Sequence, residues 1–434
     1  MASFMGRVNY NYLGRYLLTV SARYDGSSRL ADGHKWVLFP SAALAWRISD
    51  EKFMKNIKWL DNLKLRVGYG KTGNSSVDPY QTRGTLSKVY YVYNNGKDEV
   101  LGYAPKKMAN KLLTWETTEQ YNLGLDFGFL KNRINGSIDL YLQKTYDLLL
   151  ERQLPVVSGF SNIVSNIGRT QNKGIEISLN TRNVVTKNFE WTTDLTFTAG
   201  REEIVELYNG KVDDPGSGWF IGEPIDVYYN YKKIGIWQDT PEDLAEMEKF
   251  NANGANFKPG TIRLWDNGDY KITEEDKQII GTKRPKFVAS MVNSFRYRDF
   301  DFSLFLYGSQ GGMLKNDISI MEKPGRANSV RLDYWTPNNP TNAYPRPSVD
   351  MERPDYINTT YYENASFLRV RNITLGYTLP KALTSKWSID KLRFYVTANN
   401  PLIFTNFSGI DPEGATGNTS PSYSSWMFGL NLSL

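Results

Sequence analysis

The 434-residue chain has no cysteine and a single histidine, His34. Without cysteine there is no disulfide framework, no thiolate metal site and no thiol nucleophile. With one histidine there is no His-based metal cluster, and a Ser-His-Asp triad could be built only on His34. That residue lies between Gly33 and Lys35 in a loop, where a surface histidine is the plainer reading. No run of about 18 apolar residues is present, which excludes a membrane-spanning helix but not a membrane-spanning strand. Met1-Ala2-Ser3-Phe4-Met5-Gly6-Arg7 lacks the charged-then-apolar pattern of an export signal and runs straight into a strand. A strong charge of one sign is also missing. The formal net charge is +6, with basic residues scattered among acids, so nucleic acid is not implied as a partner.

What is abundant is aromatic residues, 14% of the chain, including 28 Tyr and 11 Trp. They fall into a repeated pattern. In the last stretch, Trp426, Phe428, Leu430, Leu432 and Leu434 alternate with Met427, Gly429, Asn431 and Ser433. A strand points successive side chains to opposite faces, so one face here is greasy and the other small and polar. The same record appears in Tyr16, Leu18, Val20, Ala22 and Tyr24 against Leu17, Thr19, Ser21, Arg23 and Asp25. It returns in Tyr121–Phe129, Ile134–Leu142, Ile175–Leu179, Phe189–Phe197, Phe287–Tyr297, Phe300–Leu306, Phe367–Thr378 and Leu392–Ala398. The count is about 13 strands, most near the length a tilted membrane strand needs. Short turns such as Leu13-Gly14-Arg15 alternate with long connections, the longest at 200–286 with one helix candidate, Pro241–Phe250. Long loops at every second connection are how an antiparallel transmembrane β-barrel is written. Aromatic residues then have a place as girdles at the edges of the apolar band. An odd strand count would put residue 1 on the long-loop side, whereas an intact single-chain bacterial barrel has an even number. The expectation is an all-β, partial barrel beginning in mid-sheet. A soluble carbohydrate-binding or hydrolytic β-protein and a small passive porin are the alternatives.

Several stretches resemble the SusC/RagA family of TonB-dependent outer-membrane transporters. They are Gly6-Arg7-Val8-Asn9-Tyr10-Asn11-Tyr12 with Asp25-Gly26-Ser27-Ser28-Arg29, and Lys64-Leu65-Arg66 with Gly70-Lys71-Thr72-Gly73-Asn74. Asn172-Lys173-Gly174-Ile175-Glu176 and Phe367-Leu368-Arg369-Val370-Arg371-Asn372 belong with them. Their order and spacing cover essentially the whole chain and match the C-terminal part of such a transporter. The resemblance implies a larger plugged barrel and import of glycans or peptides. It also implies a SusD-like surface lipoprotein as lid, and TonB contact through an N-terminal part. The signal, plug and early strands of the family have no counterpart in this sequence. The family closes on an aromatic residue, whereas this chain ends on Leu434.

Catalytic motifs are not found, and the chain reads as a non-enzyme. Trp265–Asp276 resembles a calcium loop, with Asn267, Asp269 and Asp276 at oxygen-ligand positions. Trp265 takes the first ligand position and Tyr270 the turn position that wants glycine, so a solvated acidic loop is the preferred reading. Gly70-Lys71-Thr72 fails as a phosphate loop because Leu65 stands where its first glycine belongs. Acid pairs such as Glu202/Glu203 and Glu274/Glu275 are adjacent in sequence and read as loop charge. Aromatic residues of the long connections, among them Tyr90, Tyr91, Trp237, Trp335 and Tyr361, could stack on sugars or pack the loops together. Packing is the expectation, and no ligand-binding residue is assigned.

Overall fold

The computed structural model describes residues 1–316, 332–347, 354–414 and 422–434. The insertion at 308–365 and the loop before the final strand therefore extend partly outside the described residues. Thirteen strands pair in chain order into one antiparallel sheet. They are β1 (Ala2–Tyr12), β2 (Tyr16–Gly26), β3 (Trp36–Arg47), β4 (Leu60–Asn74), β5 (Glu116–Phe129), β6 (Ile134–Tyr146) and β7 (Arg169–Val185). The series continues with β8 (Phe189–Glu206), β9 (Phe287–Tyr297), β10 (Phe300–Gln310), β11 (Phe367–Thr378), β12 (Lys391–Thr405) and β13 (Ser425–Ser433). Two compact units divide the chain: residues 1–181, 200–214 and 219–225, and residues 182–199, 215–218 and 226–434.

In the first unit, register turns the sequence alternation into rows. Leu18, Leu44, Val67, Leu123, Leu140 and Ile175 are successive cross-strand partners from β2 to β7. These side chains are not core. Leu44 is 50% exposed, Val67 49% and Leu123 45%, so a whole apolar sheet face is left uncovered by protein. Rings flank that face at both ends. Tyr10, Tyr12, Tyr16 and Trp46 stack in succession beside the short turns. Phe4, Tyr24 and Trp36 stack beside the long connections. In the second unit, Phe302, Leu375, Val396 and Phe428 form an equivalent row, with Trp191, Phe295 and Phe302 stacked near the turns.

The turns are built by local chemistry. Leu13 and Gly14 both take positive φ, and the Asn11 side chain accepts the Gly14 N–H at 2.9 Å. The β3–β4 connection makes two short 3₁₀ turns, Ile48–Asp50 and Lys52–Met54, around Glu51. Glu51 accepts hydrogen bonds from Tyr16, Trp46 and Arg15. The Tyr16 hydroxyl foremost, then the Trp46 indole, hold its carboxyl below the usual range.

Two features depart from the sequence reading. The stretch 71–113, which shows no sustained alternation in sequence, folds a separate hairpin of Thr85–Tyr93 and Asp98–Lys107. Its turn holds Asn94, Asn95 and Gly96 at positive φ, which is the conformation that Asn-Gly favours. Several barrel strands are also longer than their apolar records. β3 begins at Trp36, β7 at Arg169, and β8 runs to Glu206. In β7 and β8 most of the added residues are polar or charged, whereas β3 gains the unbroken apolar run Trp36-Val37-Leu38-Phe39; neither kind of extension alternates cleanly in sequence.

The long insertion of the second unit has its own small core. Its helix, Pro241–Ala252, covers the expected span; Thr240 caps it by accepting the Asp243 N–H, and Pro241 opens it. Met247 and Phe250 point inward onto Trp237 and Phe257, and all four are nearly inaccessible to solvent. Beside them, Ile236, Ile262 and Leu264 form a second cluster with Trp335, which comes from the 308–365 insertion.

Candidate functional site

In the first unit the polar face carries paired charges. Arg66 on β4 reaches Asp126 on β5 at 2.8 Å and Asp139 on β6 at 3.0 Å, while Lys64 reaches Asp126 at 2.9 Å. The space for this fork comes from Gly124, where an added Cβ would lie 2.6 Å from the Arg66 guanidinium carbon. Charge on this face is thus neutralised across strands, and the surface left is polar and wettable.

The second unit holds a more irregular constellation, on β10, β11 and β12. Phe305 opposes Asn372 and Leu306 opposes Val370, so Arg371 is an extra residue in the ladder. On the other side, Asn372 opposes Asn399 and Val370 opposes Leu402, and Asn400 has φ +47°. A bulge re-aims side chains, and a non-glycine residue in the left-handed region holds backbone strain that packing must sustain. Here the result is a concentration of donors and acceptors. The Asn372 amide donates to Asn399 at 2.9 Å, and the Asn399 amide donates to Ser425 at 3.2 Å. Thr374 donates to Asn372 from below. Each carboxamide donates one N–H within this chain of bonds, and an amide nitrogen carries two. The three asparagines, with Phe305, Arg371 and Tyr423, border a cavity of about 420 Å³.

Buried charge fixes the position of this ledge. Arg369 donates to Asp411 at 2.7 Å, with both side chains almost fully buried. Its Nε lies 2.8 Å from Glu413, off the line of a hydrogen bond. Arg371 pairs with Glu413 and lies over the Tyr307 ring at 4.8 Å. Burial alone would raise the Asp411 carboxyl; the N–H groups of Glu413 and Ser422, the Ser422 side chain and the Arg369 charge outweigh it and hold it low. Both arginines are therefore matched by acids, and what the cavity offers is neutral hydrogen bonding between aromatic walls. Among the described residues it gathers hydrogen-bonding groups and no nucleophile–base pair. The sequence carries no local signal for it, because Arg369 and Asp411 are far apart in the chain and meet only through the loop before β13.

The calcium-loop candidates lie together in the second unit. Asn267 Oδ1 accepts the Asp269 N–H at 3.1 Å, and Asp269 Oδ1 accepts the Lys271 N–H at 2.8 Å. The Asp276 carboxylate is fully buried and accepts the N–H groups of Asn267 and Thr273 at 3.0 and 2.7 Å. Tyr270 does adopt positive φ at the turn position, and its ring packs on Phe250 at 5.4 Å. The turn therefore has the course of a calcium loop while spending these oxygens on its own amides. Among the described residues no group of three or more His, Asp or Glu is placed to hold a metal ion. Glu202 and Glu203, read as loop charge, lie instead within β8 because the ladder continues to Glu206, and Glu203 accepts a hydrogen bond from Gln171 at 2.9 Å; His34 is exposed.

Of the loop aromatics, Trp237, Trp335 and Tyr361 are buried, and Tyr228 packs on Tyr362 at 4.8 Å. These hold loops together, as expected. Tyr90, Tyr91 and Tyr93 on the hairpin are instead exposed.

Comparison with known proteins matches residues 2–400 to the β-barrel of TonB dependent receptor-like proteins. TonB-dependent receptor P3 of Formosa agariphila is 36% identical over 99% of this chain and 44% of its own length. TonB-dependent receptor SusC of Bacteroides thetaiotaomicron is 34% identical over 100% of this chain and 43% of its own. The chain thus spans less than half the length of these relatives. Among solved structures, the RagAB peptide importer in its open-open state superposes with a TM-score of 0.82 at 25% identity, over 100% of this chain and 46% of that one. The uncovered apolar face is accordingly the lipid face and the polar face the lumenal one, and the chain belongs to the SusC/RagA family of TonB-dependent receptors of the outer membrane.

Proposed function

We propose that this chain serves as barrel wall and outer loops in a TonB-energised importer of oligosaccharides or peptides, working with a SusD-like surface lipoprotein as lid. The observation that carries the reading is the match of the whole chain to SusC at 34% identity, together with its fit to the RagAB barrel. The lumenal ledge of Asn372, Asn399 and Asn400 suits such cargo, because amide side chains hydrogen-bond equally to sugar hydroxyls and to peptide groups. TonB contact is assigned to the N-terminal part of the receptor, on the family resemblance. For the 265–276 turn we infer closure by its own amides, since Asn267, Asp269 and Asp276 each accept a main-chain N–H of that turn.

The test is genetic. Deleting the whole receptor gene in its native host should abolish growth on one oligosaccharide or peptide source while leaving growth on the matching monomers intact. Loss of the neighbouring lipoprotein gene or of TonB should give the same defect. Normal growth of the deletion strain on every polymeric source would sink the proposal.

The lipid face makes a separate prediction. Leu123→Arg should cost about 2–4 kcal/mol of folding stability in vesicles, as a cation facing the middle of the bilayer does. Equilibrium unfolding of the vesicle-inserted receptor measures it, and a cost near zero would mean that this face meets water.

A further inference from the structure

The lipid face of the first unit ends, on its long-loop side, in a charged row. Tyr69 and Tyr121 are cross-strand partners with rings 5.2 Å apart, and they continue to Leu142 and Lys173. One step outward on the same face, Lys71, Glu119, Lys144 and Gln171 are successive partners. One further step brings Arg169, whose guanidinium lies over Tyr146 at 5.7 Å. β8 contributes Arg201 and Glu203.

These cations outnumber the neighbouring acids, and their pairing is loose. Lys71 is 3.9 Å from Glu119, Lys173 is 3.9 Å from Glu203, and Arg201 is 3.7 Å from Glu203. Only Arg169, at 3.2 Å from Glu206, approaches hydrogen-bond distance. Half or more of the Arg169, Lys173 and Arg201 side chains is exposed.

Directly below this row, toward the middle of the membrane, the apolar face is indented. Ala42 stands between Val20 and Tyr69 in a row of large side chains. The indentation, about 540 Å³, is walled by Leu18, Leu44, Val67, Tyr121 and Leu123. A slot for hydrocarbon with Lys173 in the row of Ala42, and Lys71 and Lys144 one two-residue step farther out, has the polarity of a single lipid molecule. Each two-residue step along a strand is about 7 Å, a distance that lysine and arginine stems bridge by extending along apolar surface.

We propose that this surface is a binding site for a phosphorylated glycolipid of the outer leaflet. An acyl chain would lie in the indentation at Ala42, and the headgroup phosphates would meet Lys71, Lys144 and Lys173. Arg169 lies beyond them as an outer contact. Lysines suit the role as point charges on phosphate, and loosely paired ones give up little to change partner. The inference depends on the membrane placement of the family and is independent of which cargo the receptor imports.

The test uses the full-length receptor in detergent, with diphosphoryl lipid A as probe and native mass spectrometry as readout. Wild type should retain diphosphoryl lipid A and not its dephosphorylated form. The triple variant K71Q/K144Q/K173Q should retain about tenfold less or lower still, given the attraction of each basic side chain near an anionic surface. Ala42→Leu should also reduce retention with every charge in place. Lys88→Gln, on the extracellular hairpin, should change nothing. Heat-modifiable gel mobility checks that each variant is folded. Equal retention of the dephosphorylated lipid, unchanged retention in the folded triple variant, or an equal loss in Lys88→Gln would overturn the site. Displacement of the lipid by millimolar inorganic phosphate would reassign the charge row to free phosphate and equally overturn the lipid proposal.

Discussion

Asp411→Ala should lower the stability of the folded receptor by about 3–5 kcal/mol, the usual cost of removing one partner from a buried ion pair. Arg369 would then remain in place, almost fully buried, with Glu413 nearby but off its hydrogen-bonding direction. Arg369→Met paired with Asp411→Leu should be much less harmful, because no unpaired charge is left inside. Guanidinium unfolding of the single and double variants gives the comparison. If the double variant were as unstable as the single, the ion pair would matter through shape alone. The pair also sets an acid limit. The Asp411 carboxyl is held below its ordinary value, so its contribution is whole above that value and is lost as the pH falls through the folded one. Loosening should begin at the ledge, since Asp411 also accepts the N–H groups of Glu413 and Ser422 and so ties the loop before β13 to β11.

That the pair was invisible in sequence while the sheet was plain has a physical origin. A membrane strand must present apolar side chains to lipid at every second position, and nothing in its neighbourhood can relax that demand. Leu18, Val67 and Leu123 therefore announce their face whatever they touch. The lumenal face has no such rule. Arg66 is legible as polar, but its pairing with Asp126 and Asp139 depends on strand register, which only the assembled sheet fixes. Arg369 and Arg371 are further removed, because a bulge breaks the alternation where they lie and their acids arrive from a connection. The hairpin at 85–107 is an intermediate case. Asn94-Asn95-Gly96 carries the turn signal, but the flanking strands have apolar residues on both faces and so no clean alternation. The turn at 265–276 shows the converse. Its oxygen spacing is legible, whereas the main-chain amides that those oxygens accept are visible only in the folded turn.

Phe250→Ala should cost about 3–5 kcal/mol, as expected for a buried ring replaced in a close-packed site, and the damage should be local. Phe250 meets Trp237, Phe257 and Tyr270 with ring centroids 5.9, 5.6 and 5.4 Å away. The four buried residues of this cluster lie within the insertion and share no strand with the thirteen-stranded sheet, while Tyr356 of the 308–365 insertion packs on Phe257 at 6.5 Å. Loss of this packing should free the helix Pro241–Ala252 and the 265–276 turn, which Tyr270 fastens to the cluster, without shifting the sheet rows. Hydrogen exchange on the receptor in detergent separates the two. Amides of 241–276 should exchange several orders of magnitude faster in the variant, because local opening then requires less free energy. Amides of β9 to β12 should keep their protection. Uniform acceleration through those strands would show that the insertion and the sheet unfold as one unit, and that the loops above the lumen share the stability of the wall that carries them.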